Sequence, residues 1–267
     1  MALLHCNFFS ETLLKGENLY VIIPTPDSDE LLNNKKVSYF KAGAKYQTLY
    51  LLHGGYGDYA DWVRFTSIEK YAQEHKIAVV MASAGNSFYQ DLKSGRYFTY
   101  ISEEVPKIAR ALFPLSEKRE DNFVAGLSMG GYGAYKLAFS HPERYACAAS
   151  LSGALDIFGT MDMQMNGEGN PIMDAIKDDL KDIAGTDSDL MSTLKKLKAR
   201  GTELPKLYQA CGTEDFIYGL NCHIRDEIRS MGVDLTYDEE PGAHTWDYWD
   251  RNIQKVLDWL PLKRNLV

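Results

Sequence analysis

Short, nearly continuous apolar runs alternate along this chain with stretches whose apolar residues recur every three or four positions. The runs NLYVIIP (18–24), KVSYF (36–40), QTLYLLH (47–53), IAVVMAS (77–83), NFVAGL (122–127), ACAASLSG (146–153), KLYQACG (206–212) and DLTYDEE (234–240) predict strands. QTLYLLH carries so few polar positions that it predicts a strand buried on both faces. Helical spacing predicts a helix through Ile101, Val105, Ile108, Ala109 and Leu112, shortened or kinked by Pro106. A second carries Tyr132, Tyr135 and Phe139 and ends before His141-Pro142. A third presents Trp246, Trp249, Ile253, Val256, Leu257 and Leu260 on one face.

Strands alternating with helices predict an α/β fold: a mostly parallel central sheet with helices on both faces. The N-terminal strands, joined by short links, are candidates for antiparallel pairing. From about residue 154 to 204 the strand signal stops. A loop rich in Met, Gly and Asp (GTMDMQMNGEGNP) leads there into two helical stretches. Because it lies between two strands, it predicts a small cap inserted over one end of the sheet of a single domain spanning 1–267. Asp162, Asn166 and Gly167 fall at offsets used by calcium loops. The position needing glutamate is Met173, which argues against calcium.

Composition narrows the picture. The 267 residues are 45% apolar, enough for a sizeable core, and the formal net charge is −8. With no basic run, nucleic acid and anionic membrane are poor partners. Cys6, Cys147, Cys211 and Cys222 form no C-x-x-C pair, and a chain of this length needs no disulfide staples. MALLHCNFFSETL lacks a basic n-region, and His5 and Asn7 interrupt its apolar run, so it does not read as a signal peptide. No stretch approaches the roughly 20 apolar residues of a membrane span. The expected location is the cytoplasm; a homo-oligomer is compatible with all of this.

Candidate chemistry centres on Gly126-Leu127-Ser128-Met129-Gly130, a G-x-S-x-G between a predicted strand and a predicted helix. That context suits a nucleophile elbow, where glycines flank a serine whose backbone is strained. A nucleophilic serine needs a base and an acid, in the chain order Ser, acid, His. Of six histidines, His5, His53 and His75 precede the serine, His141 ends the elbow helix, and His223 falls inside a helical run. His244, in the loop EEPGAHTWDYW after a strand, is the candidate base. The acid lies in CGTEDF, where Asp215 is preferred for its shorter side chain and spacing leaves Glu214 open. The oxyanion of a tetrahedral intermediate would take the N–H of Met129 and, from the turn LLHGGYGDYADW, that of Gly55. Phe88, Tyr89 and Tyr97, with Trp62 and Trp246, are candidate substrate-pocket aromatics, and core packing is an equally good role for each.

The segments YLLHGGYGDYADW, GNSFYQD, AGLSMGGYGAYKLAF, HPERY, LSGAL, CGTEDF and GAHTWDYW together resemble the putative-esterase family of α/β-hydrolases. That family includes tributyrin esterases, S-formylglutathione hydrolase, some feruloyl esterases and mycolyltransferases. The resemblance covers almost the whole chain and is nearest to tributyrin-esterase-like carboxylesterases. It implies an α/β-hydrolase fold, a Ser128–Asp215–His244 triad, oxyanion donors at Gly55 and Met129, and no metal or cofactor. The expected substrate is a small-molecule ester of a short acyl group, acetyl to butyryl, with acetylated sugars or feruloyl esters as natural forms. An S-formylglutathione-type thioesterase is the alternative within hydrolases, acyl transfer to a sugar a third reading, and a non-catalytic binding module the alternative outside them.

Overall fold

The computed structural model describes residues 1–33, 39, 41–165, 171–180 and 183–263. Eight strands form one sheet: β1 (Ala2–Ser10), β2 (Lys15–Ile23), β3 (Thr48–Leu52), β4 (Ala78–Ala82), β5 (Asn122–Leu127), β6 (Cys147–Leu151), β7 (Lys206–Gly212) and β8 (Leu235–Glu240). Their spatial order is β1-β2-β4-β3-β5-β6-β7-β8. The pairs from β4 through β8 are parallel, whereas β2 runs antiparallel to both β1 and β4. The central strands β3, β4, β5 and β6 are buried at every residue, which is why their sequences read as continuous apolar runs.

Alternation within those runs divides the core in two. On β3, Leu49 and Leu51 join the side covered by the helices Ile68–His75 and Trp246–Trp259. Tyr50 and Leu52 join the other side, with Tyr132, Tyr135 and Ala109 of the helices Met129–Ser140 and Val105–Leu112. Each fully buried Leu or Phe in these layers contributes about 1.5–3 kcal/mol relative to exposure, so the two apolar faces dominate the fold's stability.

Three elements depart from the sequence pattern. Periodicity predicts no element over β1, because Leu3, His5, Asn7 and Phe9 point outward from this edge strand while Leu4, Cys6 and Phe8 pack inward. The kink expected at Pro106 is a π-helical turn over Tyr100–Glu104 that feeds into Val105–Leu112. Proline has no N–H to give, and the Ser102 carbonyl accepts instead from Arg144 Nη1 at 3.1 Å. Between β6 and β7 the described helices are Ile157–Met165, Pro171–Ile176 and Leu190–Ala199. Residues 159–165, where composition predicts a loop, are helical. The expected strand KVSYF and the offsets at Asn166 and Gly167 lie outside the described residues, Tyr39 apart.

Candidate active site

β3, β5, β7 and β8 end on the same edge of the sheet, and the loops leaving their carboxyl ends converge there. At the end of β5 the chain turns directly into the helix Met129–Ser140, with Ser128 at φ 54°, ψ −119°. A non-glycine residue holds such a conformation only when its surroundings enforce it. They do: Ser128 N–H donates to Leu151 O at 2.9 Å, and its carbonyl accepts from Ala154, Gly131 and Tyr132. A Cβ at Gly126 would sit 2.3 Å from the Gly130 carbonyl oxygen, and one at Gly130 would sit 2.5 Å from that of His53. Both glycines are therefore steric requirements of the turn.

The hydroxyl so presented meets a line of polar groups. Ser128 Oγ lies 2.9 Å from His244 Nε2. His244 Nδ1 lies 3.0 and 2.9 Å from the two carboxylate oxygens of Asp215. Asp215 is buried and accepts a further bond from Ile217 N–H at 3.1 Å. A carboxylate only accepts, so Nδ1 carries the proton, and Nε2 is left as the acceptor for the serine hydroxyl. The imidazole is flanked by Phe216, 4.7 Å away, and by Trp249 in an edge-to-face contact at 4.9 Å. Glu214 is exposed and contributes only backbone, its N–H donating to Gly242 O. Distance and burial thus separate two neighbouring carboxylates that spacing left open.

Gly55, Ser128, Met129 and His244 line one cavity of about 830 Å³. Phe88, Ile172, Phe216, Trp246 and Trp249 form its apolar wall, and Asp58, Asp61 and Arg64 its polar one. Burial, then the neighbouring Asp58 charge, pushes the Asp61 carboxyl up to about 6. Among the described backbone hydrogen bonds none uses the N–H of Gly55 or of Met129, so both remain available to a ligand.

Of the expected pocket aromatics, Phe88 and Trp246 are on the wall. Trp62 and Tyr89 are not, and that expectation is corrected: both are buried, with the Trp62 indole donating to Leu52 O at 3.0 Å and the Tyr89 hydroxyl to His53 O at 2.9 Å. Tyr97 is also off the wall and packs beside Gly85 and Gly95. Sequence reasoning missed Phe216, Trp249 and Ile172. Phe216 had a signal in its place next to Asp215, whereas Trp249 looked like one more residue of a core stripe. Among the described residues no cluster of three or more His, Cys, Asp or Glu could hold a metal ion, and no helix is long and apolar enough to cross a membrane.

A doubly covered parallel sheet carrying a serine at a strained strand-to-helix turn, hydrogen-bonded to a histidine, defines the class of α/β-hydrolase-fold serine hydrolases. Comparison with known proteins agrees and goes further. The family model described as Putative esterase matches residues 33–260, and the chain belongs to that family. It is 32% identical over 266 residues to the acetyl esterase of Caldicellulosiruptor saccharolyticus, covering 97% of this chain and 98% of that protein. Among solved structures, it resembles the fluorophosphonate-binding serine hydrolase F of Staphylococcus aureus at 35% identity and TM-score 0.85. It resembles the S-formylglutathione hydrolase of the same organism at 36% identity and TM-score 0.83. Each match covers 97% of this chain and 98% of the other. The protein is a serine hydrolase, a carboxylesterase.

Proposed function

We propose that the protein hydrolyses short-chain acyl esters, acetyl to butyryl, through an acyl-enzyme formed on Ser128. His244 Nε2 takes the hydroxyl proton as Ser128 Oγ attacks the ester carbonyl, then returns it to the leaving alkoxide, which departs as the alcohol. Asp215 holds the Nδ1–H tautomer and stabilises the imidazolium formed during attack. The N–H groups of Gly55 and Met129 bind the oxyanion. Water, activated by the same imidazole, attacks the acyl carbon and releases the acid. The single observation that carries this reading is the unbroken line from Ser128 Oγ to His244 to the buried Asp215, both links within 3.0 Å.

Residues 154–204 serve in this reading as a cap, since Ile172 belongs to the cavity wall that Ser128 shares. The acidic pair Asp58 and Asp61 on the polar wall favours a neutral hydroxylated leaving group, such as an acetylated sugar, over the anionic peptide thiol of S-formylglutathione. Thioester hydrolysis is the second reading, favoured by the likeness to an S-formylglutathione hydrolase. Four free thiols and a net charge of −8 fit the cytoplasm.

The test is kcat/KM on p-nitrophenyl acetate, butyrate and octanoate, an acetylated sugar, methyl ferulate and S-formylglutathione. Preference for C2–C4 esters, falling steeply by C8, is expected. Each methylene that fits can gain only about 0.8 kcal/mol, while one that does not must strain the wall. A kcat/KM on S-formylglutathione well above every oxygen ester would replace the esterase reading with the thioesterase one.

A further inference from the structure

Three successive carbonyls leave the end of β3, and a different buried side chain holds each of them. Trp62 Nε1–H donates to Leu52 O at 3.0 Å, Tyr89 Oη–H to His53 O at 2.9 Å, and His53 Nδ1 lies 2.7 Å from Gly54 O. All three side chains are at most 1% exposed. His53 directly precedes the glycine pair of the site, and the catalytic chemistry does not use its imidazole.

The His53 ring has one electronic state that satisfies its surroundings. Ala84 N–H points at Nε2 from 2.8 Å, and an amide N–H can only donate. Nε2 must therefore be the lone-pair nitrogen, which puts the proton on Nδ1 and aims it at Gly54 O. Full burial depresses the basicity of the ring and keeps it in this neutral form, against smaller opposing effects of the Gly54 carbonyl and of Asp58. The chain meets a conformational cost to build the second contact. Phe88 and Tyr89 are consecutive non-glycine residues with φ of 50°, and the Tyr89 ring lies where any Cβ on Gly133 would be 2.4 Å from it. Left-handed non-glycine residues are strained, and they persist where the surrounding structure enforces them.

Geometry connects these contacts to the chemistry. The Gly54–Gly55 peptide is trans and planar, so its C=O and N–H point in opposite directions. Holding Gly54 O against the His53 imidazole turns the Gly55 N–H away from it. Gly55 lines the cavity that contains Ser128. Gly54 O also accepts from Gly57 N–H, but at 3.3 Å against 2.7 Å for the imidazole, and two glycines in succession add little steric resistance to rotation of this peptide.

We infer that His53 is a positioning residue for catalysis: its Nδ1–H bond to Gly54 O, backed by the Trp62 and Tyr89 contacts on the two preceding carbonyls, sets the direction of the Gly55 N–H toward the developing oxyanion. The inference rests on the proposed role of Gly55 as an oxyanion donor. Preorganisation of this kind raises kcat without improving ground-state binding, because the donor meets its full partner only in the tetrahedral state.

Two substitutions separate the two bonds of the ring. In His53→Asn the amide nitrogen occupies the place of Nδ1 and still donates to Gly54 O. In His53→Gln the amide reaches the place of Nε2, its oxygen keeps Ala84 N–H satisfied, and Gly54 O is left with only the longer bond from Gly57 N–H at 3.3 Å. A merely structural histidine would make the two variants alike in catalysis. His53→Gln should lose about 10²-fold in kcat, comparable to one oxyanion donor, with KM within about threefold and weaker binding of a trifluoromethyl ketone by a similar factor. His53→Asn should stay within about tenfold of wild type in all three. Equal kcat values for the two, the reverse order, or a loss confined to KM would overturn the inference. Should neither variant fold, Tyr89→Phe removes one hydroxyl at constant volume; a lower kcat at unchanged KM supports the inference, and wild-type kcat overturns it. Gly55→Pro distinguishes failure of the underlying reading, because proline has no N–H. A folded Gly55→Pro enzyme with wild-type kcat removes Gly55 as donor. An inactive one, alongside equal His53 variants, removes only the positioning role.

Discussion

Replacing Asp215 by Asn keeps the shape of the side chain and inverts its meaning to His244. Asp215 Oδ1 accepts from Ile217 N–H at 3.1 Å, so the asparagine oxygen stays with that donor. The amide nitrogen then takes the other position, facing His244 Nδ1 across about the 2.9 Å now spanned by the carboxylate. The asparagine oxygen, 3.0 Å from Nδ1, is already engaged by Ile217 N–H, while the amide N–H at the nearer position opposes a second N–H, so Nδ1 is favoured as the acceptor and the ring proton moves to Nε2. That proton now faces Ser128 Oγ, 2.9 Å away, where a lone pair is needed. No water can mend the fault, because the Asp215 side chain is fully buried. A wrong tautomer and an unsupported imidazolium together should lower kcat by roughly 10³–10⁴, or about 4–5.5 kcal/mol of barrier. KM should move less than about threefold, since Asp215 is not on the cavity wall. Glu214→Gln, at an exposed side chain, should cost less than about tenfold. The assay is p-nitrophenyl acetate hydrolysis near pH 8 by both purified variants, with circular dichroism to show that each is folded. An Asp215→Asn enzyme keeping more than a tenth of wild-type kcat, or a crippled Glu214→Gln, would refute the reasoning.

Ser128→Ala should lower kcat by about 10⁴–10⁶ with little change in melting temperature, and a fluorophosphonate should label wild-type protein at Ser128 alone; activity above about a tenth, or a second labelled serine, would sink the assignment. Lys136 is buried on the elbow helix, its ammonium held by Tyr89 O, Gln90 Oε1 and Ser188 Oγ, and burial pushes it down to about 7 against the pull of Asp91 and Asp187. The unfolded chain then binds the proton more tightly than the folded one between about pH 7 and the ordinary lysine value of 10.5, so this residue makes stability rise with pH across that window. Relative to Lys136→Met, the wild-type urea midpoint should climb from pH 7 to pH 9.5, and a constant difference between the two proteins would contradict the sign.

The parts of this protein legible in its sequence are those encoded over a few neighbouring residues. β3, β4, β5 and β6 announce themselves because a strand covered on both faces needs apolar residues at every position. The elbow is legible because its steric demands fall on glycines two residues either side of Ser128. Chain order and the loops that leave strands at one edge point to His244 and to the neighbours Glu214 and Asp215, and only burial and distance separate those two carboxylates. β1 was not legible, since an edge strand with one exposed face tolerates His5 and Asn7 among its apolar residues. Nor was the helix at 157–165, whose Gly159 and Asp162 suggest a loop until Ile157 finds the core.

Local pattern thus specified most of the strands and helices, the nature of the reacting serine and the short set of groups able to serve it. Only the tertiary structure decided how those groups meet. Ser128 and His244 are 116 positions apart, and the sheet register that brings their loops to one edge is a property of the whole chain. The same is true of the aromatics. Trp62, Tyr89, Phe88 and Trp246 are alike as residue types, yet the first two hold carbonyls beneath β3 while the other two wall the cavity. A left-handed backbone at Tyr89 and the space left by Gly133 send its ring inward, and neither can be read from the residue alone. Local pattern specifies whether a side chain prefers to be buried; the partner that buries it comes from packing between distant segments.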